Sequence, residues 1–154
     1  MPHDLVLKAM NGAHRLLLGA TGGRVGWDAL GMPVLELTTI GRKSGRPRPV
    51  MLTAPLREGD AYVLVASRGG DDHHPAWFLN LRDNPDVEVS LKGGPRQRWT
   101  ARVATPQERA RLWPQIADKY ANYAGYQRRT EREIPLVLVS PRPTPAGPAA
   151  PVAT

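Results

Sequence analysis

The sequence contains no cysteine among its 154 residues. This absence excludes disulfides, thiolate metal sites, cysteine nucleophiles and iron–sulfur ligation. No apolar run approaches the ~20 residues that a membrane-spanning helix requires. The N-terminal segment Met1–Asp4 does not open the basic-then-apolar layout of a signal peptide. We therefore expect a cytoplasmic protein, with peripheral contact to the inner face of a membrane as an additional hypothesis.

Several enzyme classes lack their sequence signatures here. There is no G-x-S-x-G nucleophile elbow, no H-E-x-x-H zinc motif and no G-x-x-x-x-G-K-[ST] phosphate loop. No spacing of carboxylates points to a paired-carboxylate hydrolase. The missing motifs therefore give little support to serine hydrolases, zinc peptidases or P-loop enzymes.

The chain is strongly basic, with a formal charge of +7 and a sequence pI of about 10.4. Such a balance favours anionic partners such as nucleic acid, acidic lipid or a phosphorylated cofactor. Arginine far outnumbers lysine, and Ala, Gly and Pro are abundant, so a GC-rich genome explains the bias equally well. The length fits one domain, which we place at residues 1–140. Residues 141–154 are Pro/Ala-rich and nearly uncharged, which predicts a disordered tail.

Hydrophobic periodicity predicts short strands joined by tight connections. An amphipathic helix is expected at residues 3–18, and a second follows Pro75. Thr105 and Glu108 form a capping box for a third, and a further helix or extended turn is expected at Tyr123–Arg132. Alternating segments predict the strands Val34–Ile40, Val50–Leu56, Tyr62–Ala66, Val87–Leu91, Trp99–Ala104 and Ile134–Val139. This order indicates an α+β protein, mainly β, with an antiparallel sheet or barrel and helices packed outside it.

The most informative segment is Gly41–Arg48, with the sequence GRKSGRPR. Four of its eight residues are cations and none is acidic. Arginine side chains match the paired oxygens of phosphate or carboxylate, and backbone N–H groups in glycine-containing loops form anion sites. The segment lies between two predicted strands, which can hold it rigidly. A solvated turn and a nucleic-acid contact remain alternatives when the residues are taken alone.

A second segment, Ser67–Pro75, contains the run Asp-Asp-His-His. Adjacent ligands in a loop point in different directions, and no further histidine lies nearby in sequence. We therefore expect no metal site.

The tyrosines Tyr120, Tyr123 and Tyr126 form a third feature. Their spacing of three places them on one side of a helix. Phenol hydroxyls donate hydrogen bonds while their rings pack on apolar or aromatic ligands. A partly buried aromatic stripe is the alternative.

Together, three segments resemble the deazaflavin-dependent nitroreductase family, which uses coenzyme F-420. They are LELTTIGRKSGRPR, then VASRGGDDHHPAWFLNLRDNPDVEV, then the region from ERARLW through YANYAGYQRRTEREIPLVLV. The similarity runs from about Gly12 to Pro141. It implies a split β-barrel like that of FMN-binding reductases. It also implies a coenzyme tail of phosphate and oligoglutamate along the basic segment.

The resemblance also implies roles for individual residues. Thr53 stands where some relatives carry a tyrosine, so a different acceptor preference is expected. The residues implied to bind the coenzyme tail are Arg42, Lys43, Ser44, Arg46 and Arg48. Those implied to line the deazaflavin ring are Met51, Ala66, Ser67, Arg68 and Trp77. Those implied to face the acceptor as catalytic donors, together with Ser67, are Tyr120, Tyr123 and Tyr126.

The resulting hypothesis is an oxidoreductase that passes a hydride from reduced coenzyme F-420 to a quinone, a nitro compound or a similar acceptor. This chemistry belongs to the cofactor, which explains why no nucleophile or metal ligand set is visible. The alternatives are an FMN enzyme on the same barrel, a non-catalytic carrier of the coenzyme, and a basic nucleic-acid-binding module. FMN has no oligoglutamate and would not need so many cations in one loop, and we expect no nucleic-acid partner. The sequence leaves a monomer and a homodimer equally open.

Overall fold

A computed structural model describes residues 28–29 and 32–142. The predicted helix at residues 3–18 and nearly all of the predicted tail lie outside the described residues. The tail was expected from residue 141, but the last strand includes Pro141, and the Arg142 side chain donates to the Trp99 carbonyl at 3.2 Å. Pro141 and Arg142 thus belong to the described part of the chain and contact the sheet.

The described residues form eight strands and three α-helices. The helices are α1 (Ala76–Asp83), α2 (Pro106–Lys119) and α3 (Ala121–Arg128). The strands are β1 (Asp28–Ala29), β2 (Met32–Ile40), β3 (Pro47–Thr53), β4 (Leu56–Glu58), β5 (Ala61–Val65), β6 (Asp86–Leu91), β7 (Gln97–Val103) and β8 (Leu136–Pro141). No described helix is long and apolar enough to cross a membrane.

All strand pairs are antiparallel. The order across the sheet is β1-β2-β6-β7-β8-β5-β4, and β3 pairs with β2. Such a sheet curls because neighbouring strands twist relative to one another. The α+β split-barrel fold expected from the sequence is confirmed.

Two hydrophobic clusters lie on opposite faces of the sheet. Strands β5 and β8 contribute to both, because successive side chains of a strand point to opposite faces. The first cluster includes Leu64 and Val139, and α1 contributes Trp77 and Phe78 to it. The second includes Val63 and Leu138 and is covered by α2 and α3 through Leu112, Ile116 and Tyr123. The long apolar run of β8 is thus buried on both faces.

Helix α2 begins as predicted. The Thr105 side chain accepts from the Glu108 N–H at 3.2 Å, and the Glu108 carboxylate accepts from the Thr105 N–H at 3.0 Å. Glu108 also accepts two hydrogen bonds from Arg102, at 2.6 and 2.8 Å. These contacts, with that of Arg102 the largest, lower the pKa of Glu108 to about 2.

Two predicted elements differ from the structure. The predicted strand at residues 50–56 is two strands, because Pro55 supplies no N–H to a ladder. The predicted helix at residues 123–132 lies instead at Ala121–Arg128. The residues after α3 place their side chains against the turn that follows β5.

Candidate functional site

The basic loop, residues 41–48, closes the hairpin of β2 and β3. The Gly45 N–H donates to the Gly41 carbonyl, and the Gly41 N–H donates to the Arg46 carbonyl, each at 2.8 Å. Gly45 has a φ of +68°, a conformation that favours glycine. The Ser44 hydroxyl accepts from the Arg46 N–H at 3.2 Å and from the Arg48 guanidinium at 3.3 Å. Backbone turns and a serine therefore fix the shape of this loop.

Asn80, which the sequence analysis missed, joins the loop to α1. Its side-chain oxygen accepts from the Arg42 backbone N–H at 3.2 Å and from the Arg42 guanidinium at 3.0 Å. Its amide donates to the Thr39 hydroxyl at 3.1 Å. Asn80 and Thr39 are both buried. An asparagine within the apolar stretch AWFLNL was the signal, since a buried amide requires partners.

The loop's cations suit an anionic ligand. Arg42, Lys43, Arg46 and Arg48 are all exposed. Within residues 32–142, none of the four forms a salt bridge. Other arginines in the described chain do pair with carboxylates, including Arg96 with Glu36. Cations without acidic partners on a hydrogen-bonded loop fit the phosphate and glutamates of the expected coenzyme tail.

A tight turn at Ser67–Gly70 follows strand β5. Three consecutive residues have positive φ: Arg68 (+47°), Gly69 (+64°) and Gly70 (+85°). A Cβ on Gly70 would lie 2.7 Å from the Tyr126 carbonyl oxygen, so the turn packs directly on the backbone of α3. Ser67 is buried as a residue, at 8% exposure, and within residues 32–142 its side-chain hydroxyl forms no hydrogen bond. That hydroxyl remains available to a ligand.

Arg132, which was also missed from the sequence, holds this turn through hydrogen bonds to its carbonyl oxygens. Its guanidinium donates to the carbonyls of Ser67 at 2.9 Å and Asp71 at 2.8 Å, and twice to that of Ala66 at 3.3 Å. It also contacts His74 Nδ1 at 3.1 Å. Burial lowers the pKa of Arg132, while the charges of Asp71 and Asp72 oppose that change.

The acidic and histidine side chains of this segment are engaged with the protein. Asp71 accepts from the His73 N–H at 2.8 Å and pairs with Arg68 at 3.7 Å. Asp72 accepts from the Thr130 hydroxyl at 2.9 Å. The described residues contain no cluster of three or more histidine, aspartate or glutamate side chains arranged to hold a metal. A polar surface groove lined by Asp72 and residues 128–132 includes none of the predicted site residues.

The three tyrosines contact one another edge to face. Ring centroids are 6.3 Å apart for Tyr120 and Tyr123, and 5.9 Å apart for Tyr123 and Tyr126. Tyr123 is buried, and its hydroxyl shares a hydrogen bond of 2.9 Å with that of Thr53. It also lies 3.6 Å from the sulfur of Met32. Burial raises the pKa of Tyr123, and the Thr53 bond opposes that rise.

The hydroxyls of Tyr120 and Tyr126 differ from that of Tyr123. Both side chains are half-buried, and neither hydroxyl bonds to any residue of the described chain. Their rings instead face cations, with Lys119 5.5 Å from the centre of Tyr120 and Arg129 5.9 Å from that of Tyr126. Tyr120 and Tyr126 are therefore available as hydrogen-bond donors, whereas Tyr123 is already engaged.

The residues predicted to line the deazaflavin ring occupy different depths. Ala66 is fully buried and Trp77 packs in the first cluster. Met51 is buried on β3 and shares a strand face with Thr53, two residues on. Arg68 is half-buried in the turn.

The structure brings the three predicted segments together in pairs. Asn80 joins the basic loop to α1, Gly70 joins the Ser67 turn to α3, and Thr53 joins β3 to Tyr123. The roles assigned to individual residues stay predictions.

Comparison with known proteins identifies the family. Residues 13–141 match the model of the family described as F420H(2)-dependent quinone reductase. A quinone reductase of Mycobacterium tuberculosis, described as F420H(2)-dependent, is 43% identical over 133 residues, which cover 84% of this chain and 88% of the relative.

Solved structures agree with this match. One described as an F420-H2 dependent reductase (FDR-A) has a TM-score of 0.60 and 38% identity, covering 70% of this chain and 94% of that protein. Another, described as a domain-swapped dimer, has a TM-score of 0.62 and 35% identity, covering 91% of this chain and all of that one. The expected oxidoreductase class and deazaflavin coenzyme are thereby confirmed, and the chain belongs to the F420H(2)-dependent quinone reductase family.

Proposed function

We propose that this protein transfers a hydride from reduced coenzyme F-420 to a quinone, and that nitro compounds are accepted as alternatives. The observation that carries the proposal is a hydrogen-bonded loop whose four cations form no salt bridge within residues 32–142. The same chain offers hydroxyls on the Ser67 turn and on helix α3 that bond to none of the described residues. A strong anion site and nearby hydrogen-bond donors are what a coenzyme with a charged tail and a reactive ring requires.

The basic loop binds the non-reacting part of the coenzyme in this proposal. Each charge-assisted contact that it forms contributes roughly 1.5–3 kcal/mol. Because Asn80 and Ser44 already hold the loop in place, little ordering entropy remains to be lost on binding. The loop therefore contributes to affinity and orientation.

The chemical step depends on a few hydroxyl donors. When bound, the deazaflavin supplies two-electron hydride chemistry. Negative charge then develops on an oxygen of the acceptor, where a preorganised donor is most effective. We assign this role to the unengaged hydroxyls of Ser67 and Tyr126, with Tyr120 as a further donor. Tyr123 orients its neighbours through ring contacts, because its own hydroxyl is bonded to Thr53.

The test is single-turnover oxidation of the reduced coenzyme by a quinone and, separately, by a nitroaromatic, with and without the protein. We expect protein-dependent oxidation with both acceptors and a faster reaction with the quinone. A protein that binds the reduced coenzyme and accelerates neither reaction is a carrier, and the proposal would then be wrong.

We also propose that the protein forms a homodimer. The support is the similar structure described as a domain-swapped dimer. Analytical ultracentrifugation at micromolar concentration should give twice the mass of the chain, and a single species of 16.9 kDa would contradict it.

A membrane contact is a separate proposal that rests on the amphipathic pattern at residues 3–18, with packing of that segment on the barrel as the alternative. Flotation with anionic vesicles at low salt tests it. Absence of the protein from the vesicle fraction would remove it.

A further inference from the structure

Arg132 uses its guanidinium in an unusual way for a partly buried cation. The group has five N–H donors in a fixed plane. One reaches the carbonyl of Asp71, two reach that of Ala66, one reaches that of Ser67, and one faces His74 Nδ1. None of the five points to a carboxylate. A single side chain therefore connects the end of β5 with both sides of the turn that follows.

The segment that Arg132 contacts has an unfavourable backbone conformation. Arg68 carries a side chain at a φ of +47°, in the left-handed region that costs a non-glycine residue free energy. The two glycines after it continue with positive φ. A strained conformation persists only where surrounding contacts determine it. The four carbonyl contacts of Arg132 are such a constraint.

From this geometry, we propose that Arg132 is a positioning residue that fixes the Ser67–Gly70 turn in the conformation that receives the coenzyme and the substrate. Neutral His74 accepts a hydrogen bond from Arg132 and so completes the contacts that hold the Arg132 side chain. The inference rests on the proposed function, because it takes the Ser67 turn as part of the reaction site. Arg132 contacts the turn through carbonyl oxygens, so it acts on the position of the Ser67 hydroxyl and not on the reacting atoms.

His74 contributes a dependence on pH. To accept from Arg132, Nδ1 must carry no proton. Two cations lie around the ring, Arg132 and Arg82 on α1, and the Phe78 ring packs on it at 4.7 Å. The charges of Asp71 and Asp72 also act on Arg132. Burial, and then the two arginines, lower the pKa of His74 below its ordinary value of 6.5.

The direction of the effect follows from that shift. The Arg132 charge contributes to that lowering, so loss of the Arg132 contact raises the pKa of His74, and protons therefore favour release of the turn. The hydrogen bond from Arg132 to His74 is fully formed above about pH 6.5 and weakens as the pH falls below that value. Protonation replaces a hydrogen bond by repulsion between two cations.

The experiment compares Arg132→Lys with Arg109→Lys. Arg109 is the control, since it also donates to a backbone carbonyl, that of Ile134 at 2.9 Å, and burial also lowers its pKa. It bonds to Gln127, which accepts from it and donates to the Arg132 carbonyl, but Arg109 itself forms no hydrogen bond to the described residues of the Ser67–Gly70 turn. Calorimetric titration with coenzyme F-420 and single-turnover oxidation by a quinone are measured for each. A lysine retains the charge and cannot span the carbonyls.

We expect Arg132→Lys to raise the Kd and slow hydride transfer, each by about tenfold, while Arg109→Lys lowers only the melting temperature. Added guanidinium ion should partly restore Arg132→Ala. If Arg132→Lys folds and matches the parent in both assays, the positioning role is wrong. If the parent itself does not bind the coenzyme, the proposed function fails instead.

The second arm measures the coenzyme Kd of the parent and of His74→Gln between pH 7.5 and 5.5. The amide oxygen of glutamine can accept from Arg132 but does not titrate. We expect the parent to lose affinity on acidification about threefold more than His74→Gln does. Identical pH dependence in the two proteins would show that His74 is not the group that releases the turn.

Discussion

Replacement of Asn80 by alanine is the most informative perturbation of the basic loop. The change removes the acceptor for two groups of Arg42 and the donor to Thr39. The Thr39 hydroxyl, which is 0% exposed, is left without this partner. An unsatisfied buried polar group costs about 1–3 kcal/mol. Because the Arg42 side chain is exposed, water can take the place of Asn80 as its partner, and the loss of these contacts adds less.

We therefore expect Asn80→Ala to lower the free energy of unfolding by about 2 kcal/mol. The loop also loses its attachment to α1. Part of the conformational entropy of the loop is then lost only when the coenzyme binds, which weakens binding. A loss of about 1 kcal/mol of binding free energy raises the Kd of the coenzyme roughly fivefold. Urea unfolding and calorimetric titration with coenzyme F-420 measure the two effects.

Asn84→Ala is the matched control. Asn84 lies just beyond α1 and accepts from the Asp86 N–H at 3.1 Å, with no contact to the loop. It should alter stability by less and leave the Kd unchanged. If Asn80→Ala loses stability and binds the coenzyme like the parent, Asn80 supports only α1, and the account of the loop is refuted.

Three further predictions concern the loop, the tyrosines and the cap of α2. Lys43→Ala combined with Arg46→Ala should raise the coenzyme Kd at least about tenfold, with a smaller loss at high salt; an unchanged Kd would identify the loop as a solvated turn. Tyr126→Phe should slow single-turnover oxidation without changing coenzyme affinity, by up to about 2.7–4 kcal/mol in activation free energy where the site is dry. Tyr123→Phe should instead lower stability, by about 1 kcal/mol in urea unfolding; equal rates in both variants and the parent would show that the tyrosines only pack. Glu108→Gln should be less stable than the parent at neutral pH, by no more than about 1 kcal/mol. Because the folded pKa of Glu108 is lowered from 4.5 to about 2, that difference should vanish as the pH falls through this interval, and a constant difference in thermal melts would contradict the cap.

Much of the fold could be predicted from the sequence because local patterns and tertiary structure agree. The capping box at Thr105 formed as predicted, and the alternating strands lie within a few residues of their predicted bounds. The sequence of β8 looked uniformly apolar because helices α2 and α3 cover one of its faces and the barrel interior the other. Pro55 was the signal for the break between β3 and β4, since it cannot donate to a ladder.

The supporting contacts of the site could not be read from the sequence. Asn80 and Arg132 act over separations of 38 and 65 residues, and neither carries a motif of its own. The partners of Arg132 are largely backbone carbonyls, which no side-chain pattern reveals. The equal spacing of the tyrosines likewise does not show that their hydroxyls differ. Only the Tyr123 hydroxyl forms a hydrogen bond with Thr53, which lies on strand β3. Local patterns therefore identified candidate ligand contacts, and tertiary geometry identified what positions them.

The central claim is that the cationic loop and the Ser67 turn select a deazaflavin coenzyme. Titration of one protein preparation with coenzyme F-420 and with FMN, under identical salt and pH, tests it most directly. We expect tighter binding of coenzyme F-420, by at least about tenfold, since FMN brings no oligoglutamate to the four cations. Tight binding of FMN together with no detectable binding of coenzyme F-420 would contradict it.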